Sequence, residues 1–254
     1  MTDPGSGPIL ILSFAVLGLI VGSFLGLVSV RLPLDEPFVS GRSRCRQCGR
    51  TLAPRDLIPL VSYVAARGRC RGCSAPVSIR YPLMEICGAA IGIWAASSQP
   101  TLAGAALTAL LGWQLLLIAV IDAEHQWLPD ELTLPLLAAG IASAAILPDL
   151  ALRDSLIGAA AGFASLWGLS QAYRRLRGRE GLGGGDPWLL GAIGAYVGWA
   201  GLPSVLVWAS VAGLSLVFAR HLTGRAVSGS DRLAFGVFLS AGAWLTWVYG
   251  PIGF

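Results

Sequence analysis

Apolar runs separated by short polar breaks dominate the chain, at about 9–30, 82–98, 101–121, 131–148, 155–173, 187–201, 203–219 and 233–249. Several carry almost no charge, and a helix rising about 1.5 Å per residue needs roughly 20 of them to cross a hydrocarbon core. The pattern predicts an all-α polytopic membrane protein of about eight transmembrane helices. The second and sixth runs are short, and glycine-rich faces such as "GAIGAYVG" at 191–198 suit close helix packing. A first helix in 1–30, a polar insert in 31–80 and a membrane-embedded remainder of about seven helices in 81–254 are the expected divisions.

Composition agrees with the pattern. Hydrophobic residues make up 55% of the chain and charged ones only 13%, with a mean hydropathy of +0.69, which soluble domains rarely reach. The segment "MTDPGSGP" before the first run lacks the positive charge of a removable signal peptide, so that run is expected to remain as an anchor.

Charge sets an expected orientation. The basic side chains are 18 arginines and no lysine, ten of them between Arg31 and Arg80. Arg174, Arg175, Arg177 and Arg179 lie between the fifth and sixth runs, and Arg220, Arg225 and Arg232 flank the break between the seventh and eighth. The positive-inside rule puts these loops in the cytoplasm and both termini on the outer side of the membrane. The net charge of +4 then reflects topology and contact with anionic membrane lipids, and calls for no nucleic acid.

The insert holds "CRQC" and "CRGC", that is Cys45, Cys48, Cys70 and Cys73. Two such pairs are a signature of a four-thiolate zinc site, each pair forming a knuckle whose turn Gly49 or Gly72 relieves. Two disulfides are the alternative, which a reducing cytoplasm disfavours. A segment of about 50 residues buries little apolar surface, so a metal can supply its folding free energy. With four protein thiolates the zinc has no open position and is read as structural. Cys87, inside the second run, is expected to be a small buried apolar residue.

Asp122 follows "LLLIAVI" and Asp186 follows "GLGGG", both at the ends of apolar runs on the cytoplasmic side. Two carboxylates held together cannot both ionise easily, so one keeps a proton and the other serves as a base. That is the requirement for aspartyl proteolysis. Gly183, Gly184 and Gly185 permit unusual dihedrals and close approach of an extended substrate. They fit equally a hinge in which Asp186 is an N-cap and Pro187 opens the helix. Asp130 is expected to cap the fourth span, with Glu124 and His125 as solvated loop residues.

With "GSFLGLVSVRLP", the two cysteine pairs, "RYPLME", "IDAEHQWLPDELTLP" and "EGLGGGD" in place, the chain resembles the type IV prepilin peptidases, aspartic proteases of the "GxGD" type in the bacterial inner membrane. The resemblance runs nearly end to end. It implies that Asp122 and Asp186 are catalytic and that prepilins or pseudopilins are the substrates, cut at the cytoplasmic face. It further implies N-methylation of the new terminus with S-adenosylmethionine. Pro187, Trp188 and Leu189 stand where the family commonly has a residue, a lysine and a leucine. The missing cation is expected to shift the pH optimum or alter substrate positioning. Glu85 is a candidate for the cofactor site, pairing with Arg80 being the plainer reading. A proton-coupled transporter and a silent assembly scaffold are the competing classes. Oligomeric state is left open.

Overall fold

The computed structural model describes residues 6–146, 151–178, 181–223 and 233–253, and their secondary structure is helical apart from two isolated β-bridges. Arg179, Arg225 and Arg232 lie outside the described residues. The helices are α1 (Ser6–Arg31), α2 (Val61–Ala65), α3 (Arg80–Ser98), α4 (Leu102–His125), α5 (Asp130–Ile146), α6 (Leu152–Arg177), α7 (Asp186–Leu222) and α8 (Phe235–Tyr249). The chain forms two compact units, Met1–Trp113 and Gln114–Phe254, divided within α4.

Over its described residues every predicted apolar run falls in a helix, except for residue 101 at the start of the third run and residues 233 and 234 at the start of the eighth. Among them Gly7–Leu34, Leu102–His125 and Asp186–Leu222 are long and apolar enough to cross a membrane, and Phe235–Tyr249 is apolar but shorter. The outer face of α1 presents Leu12, Ile20 and Phe24, an apolar surface at home against lipid and not against water. The sixth and seventh runs, expected to separate near residue 202, are joined in α7. The break comes earlier, at Gly198, whose φ of 67° and ψ of 175° interrupt the helix. Only glycine adopts that conformation without strain.

Glycine sets how closely these helices approach. In the first unit, a Cβ at Gly18 or Gly22 of α1 would lie 2.3 Å from the carbonyl oxygen of Gly88 or Met84 on α3. The Trp113 indole donates to that same Gly88 carbonyl at 2.9 Å. Because α3 turns Met84, Gly88 and Gly92 inward, Cys87 is exposed, contrary to the expectation of burial. In the second unit, Gly194 of α7 faces Gly158 of α6 so tightly that a Cβ would sit 2.2 Å from the Gly158 oxygen. Ser155 adds a hydrogen bond to the Ala195 carbonyl at 2.7 Å. Such small-residue seams are the means by which helices associate in lipid, where burial from water supplies no drive.

Candidate active site

The last turn of α4 and the first residue of α7 carry the two aspartates. Asp122 and Asp186 are each only 4% exposed, both within the second unit, and stand close enough to interact electrostatically. Residues 64 positions apart in the sequence thus come within electrostatic range of each other. Helix α4 stops just beyond Asp122 because Gln126 adopts a φ of 50°, its N–H returning to the Asp122 carbonyl at 2.8 Å.

Backbone amides hold each carboxylate. Asp186 Oδ2 accepts from the Gly183 N–H at 2.9 Å. The N-cap of α7 is Gly185, with Pro187 in the first turn, so the N-cap reading of Asp186 is not met: its carboxylate turns back to Gly183. Asp122 Oδ2 accepts from the Val237 N–H at 3.2 Å, one of the amides at the start of α8 that have no partner inside their own helix. A helix N-terminus favours a negative charge there.

The three glycines before Asp186 do different things. None has a positive φ, so unusual dihedrals are not their purpose. A Cβ on Gly185 would lie 2.5 Å from Leu128 Cβ, and one on Gly183 would lie 3.1 Å from Asp186 Oδ2. Gly184 faces open space, with nothing within 4 Å. Two residues absent from the sequence reading complete the site. Gly236 leaves room for Asp122, since a Cβ there would lie 2.8 Å from Oδ2. Leu128 touches both glycine ledges, its Cδ1 lying 3.2 Å from the Cβ position of Gly236. Position 236 follows "RLAF", with no local signal tying it to an acid 114 residues earlier.

Around this pair, Trp188 is partly exposed and packs on Phe163 of α6, ring centroids 4.6 Å apart. Glu124 and His125 are exposed, as expected, but lie in the last turn of α4 and not in a loop, with 3.8 Å between Oε2 and Nε2. Asp130 opens α5 with Glu131 beside it in the first turn, where acidic charge suits the helix dipole.

In the insert, the four cysteine sulphurs lie within 4.8 Å of one another, and Cys45 Sγ is 3.9 Å from Cys73 Sγ. A tetrahedral site with metal–sulphur bonds of about 2.3 Å implies sulphurs about 3.8 Å apart. All four thiols are free, so the disulfide alternative is not realised. The knuckles are built alike: Cys45 N–H bonds to the Arg50 carbonyl and Cys70 N–H to the Ala75 carbonyl, at 2.9 and 2.8 Å. Each turn needs a left-handed residue just after its second cysteine. Gly49 (φ 70°) supplies the first, but Ser74 (φ 59°), not the expected Gly72, supplies the second. Gly72 instead donates its N–H to Cys70 Sγ at 3.4 Å. The Cys48 and Gln47 amides bring the Cys45 thiol down to about 6. At Cys73 the Ala75 amide acts likewise but is outweighed by the Cys48 thiol, desolvation and the Cys70 and Cys45 thiols, which push it up to about 11. Four crowded sulphurs thus compete for protons, a conflict that a bound cation resolves. Asp56 braces both knuckles, within 3.8 Å of Arg50 and 3.4 Å of Arg71.

Glu85 is buried on α3, 6% exposed. Its Oε1 accepts from Ser23 Oγ and its Oε2 from the Leu60 N–H, both at 2.7 Å.

Two family models match the chain: the bacterial peptidase A24 N-terminal domain over residues 16–98 and the type IV leader peptidase family over residues 109–218. A prepilin leader peptidase/N-methyltransferase of Burkholderia pseudomallei is 40% identical, the match covering 94% of this chain and 85% of the relative. Proteins of the same name from Aeromonas hydrophila and Pseudomonas aeruginosa are 36% and 35% identical over 91% and 94% of this chain, covering 88% and 90% of theirs. No solved structure matches.

Proposed function

Because the chain belongs to the type IV leader peptidase family, we propose that it removes the leader from prepilins by an aspartyl-pair mechanism and N-methylates the new terminus. The observation that carries the peptidase half is the buried pair Asp122 and Asp186, two acids within electrostatic reach of each other inside the matched segment. On this reading one carboxylate deprotonates a water that attacks the scissile carbonyl. The other, protonated, donates to the carbonyl oxygen and then gives its proton to the leaving amine. The amides of Gly183 and Val237 orient the two acids. The open side of Gly184 is the surface along which an extended substrate approaches. Neither transport nor a silent scaffold accounts for the family match together with this pair.

We assign the peptidase chemistry to 81–254, within it to the second unit, and treat 1–30 as an anchor and 31–80 as a metal-tied insert. The metal that four thiolates favour is zinc, and its role is structural. Pseudopilins are a second substrate class, and S-adenosylmethionine is the methyl donor. The arginines of 31–80 and 174–179 support, by the positive-inside rule, a site at the cytoplasmic face of the inner membrane and both termini in the periplasm. Trp188, seated on Phe163, acts in substrate positioning.

The test is mass spectrometry of a purified prepilin incubated with the chain in detergent, with and without S-adenosylmethionine. The reading expects loss of the leader in both cases and the added mass of one methyl group only with the donor. An uncut prepilin refutes the peptidase half. A cut but unmethylated product refutes the other.

A further inference from the structure

Among the described residues no hydrogen bond joins the two aspartates directly. Asp122, in the last turn of α4, is tied to α8 by the Val237 N–H. Asp186 opens α7 and bonds to Gly183 in the segment just before it. These bonds orient each carboxylate, yet neither fixes the start of α7 against the start of α8. Two acids that share a proton and act on one bond need a held separation, so the two helix starts require a brace.

Leu128 stands between them. Its Cβ lies 2.5 Å, and its carbonyl oxygen 2.9 Å, from where a Cβ on Gly185 would sit, the residue just before Asp186. Its Cδ1 lies 3.2 Å from the corresponding point on Gly236, the residue just before Val237 and the one that leaves room for the Asp122 carboxylate. The loop that carries Leu128 is stiff. Gln126 holds a φ of 50° and closes onto the Asp122 carbonyl at 2.8 Å. Pro129 restricts the backbone of the residue before it, and its carbonyl accepts from the Leu132 and Thr133 amides of α5 at 3.1 and 3.2 Å. Trp127 is exposed, whereas Leu128 is half-buried and Pro129 buried. A side chain in an otherwise exposed loop is thus seated firmly against both helix starts.

We propose that Leu128 is a positioning residue that sets the separation of Asp122 and Asp186. The proposal rests on the peptidase reading above. The backbone and Cβ of Leu128 bear on α7 and the end of its side chain bears on α8 beside Asp122, so one leucine spans the gap between the elements that hold the two acids. Truncation to alanine keeps the first contact and deletes the second. The start of α8 then gains a space into which its neighbours relax only in part. Gly236 moves with it, and so does the Val237 amide that orients Asp122.

The test is steady-state cleavage of a purified prepilin by the full chain in detergent, with thermal unfolding to report on folding. The parent is compared with Leu128→Ala, Leu128→Met, Gly236→Ala and the double variant Leu128→Ala with Gly236→Ala. Leu128→Ala is expected to lower kcat roughly tenfold with KM within about twofold of the parent. Leu128→Met, close to leucine in volume, is expected to return kcat to within about threefold of the parent. The double variant carries the sharper signature. The methyl group added at Gly236 lies against Leu128 Cδ1, so deleting that carbon opens the direction of relief, and the double variant should lose at least about fivefold less than the product of the two single losses. A leucine that only supports the fold gives no such coupling. The assignment is overturned if Leu128→Ala stays within about twofold of the parent in kcat, if Leu128→Met shares the full loss, or if the two single losses multiply within about twofold. Each of those outcomes leaves the peptidase reading standing, whereas a parent that leaves the prepilin uncut removes that reading and this assignment with it.

Discussion

Replacing Gly236 with alanine adds a single methyl group at the start of α8, and the structure states where it lands. The new Cβ lies 2.8 Å from Asp122 Oδ2, 3.1 Å from its Cγ and 3.2 Å from Leu128 Cδ1. The first distance falls about 0.6 Å short of an ordinary carbon–oxygen contact. Leu128 blocks one direction of relief, so the carboxylate must swing away from α8 and lengthen its 3.2 Å bond to the Val237 amide. Displacements approaching 1 Å in a reacting group cost on the order of 100-fold in rate. A fall in kcat of roughly 10- to 100-fold is therefore expected, with KM little changed, because Asp122 acts on the water and the carbonyl and not on the rest of the substrate. Steady-state cleavage of a purified prepilin in detergent measures it. Gly168→Ala on α6, where nothing lies within 4 Å of the new Cβ, is the matched control. A Gly236→Ala enzyme whose kcat stays within about twofold of the parent would refute the reasoning.

Other substitutions test separate parts of the account. Gly185→Ala drives a Cβ to 2.5 Å from Leu128 Cβ and should lower kcat. Gly184→Ala meets no protein atom and should act on KM if at all; the reverse ranking would contradict the geometry. At the insert, elemental analysis should find one zinc per chain, lost in Cys48→Ser, and chelation should expose 31–80 to proteolysis. Equal protease resistance with and without metal would remove the structural role of the ion. Gly194→Ala places a Cβ 2.2 Å from the Gly158 oxygen, a backbone contact that cannot swing aside. It should destabilise the chain by about 1–3 kcal/mol, read as a lower midpoint in thermal unfolding, and an unchanged midpoint would show that the α6–α7 seam is looser than described.

The fold was legible where hydropathy alone decides. The runs that became α1 and α4 lie within helices Ser6–Arg31 and Leu102–His125, since a long uncharged stretch has few alternatives. Where backbone conformation decides, it was less so. The junction in α7 was expected at residue 202, beside Pro203, yet it lies at Gly198, one glycine among several in "GAIGAYVG". The second knuckle shows the same limit: Gly72 looked like the turn residue, but the left-handed position after the second cysteine belongs to Ser74. At the aspartates, the chemistry of Asp122 and Asp186 could be argued from residue type and position. The groups that orient Asp122 could not, because Val237 and Gly236 reach it through tertiary packing across more than a hundred residues.

The central claim is that Asp122 and Asp186 act as one catalytic pair. Its most direct test is the rate of prepilin cleavage by Asp122→Asn and Asp186→Asn, each of which keeps the side-chain shape and removes the acid. The account predicts that either substitution alone abolishes cleavage, and that the double variant is no worse than either single one, as for residues working as a unit. Normal cleavage by either single variant would contradict it.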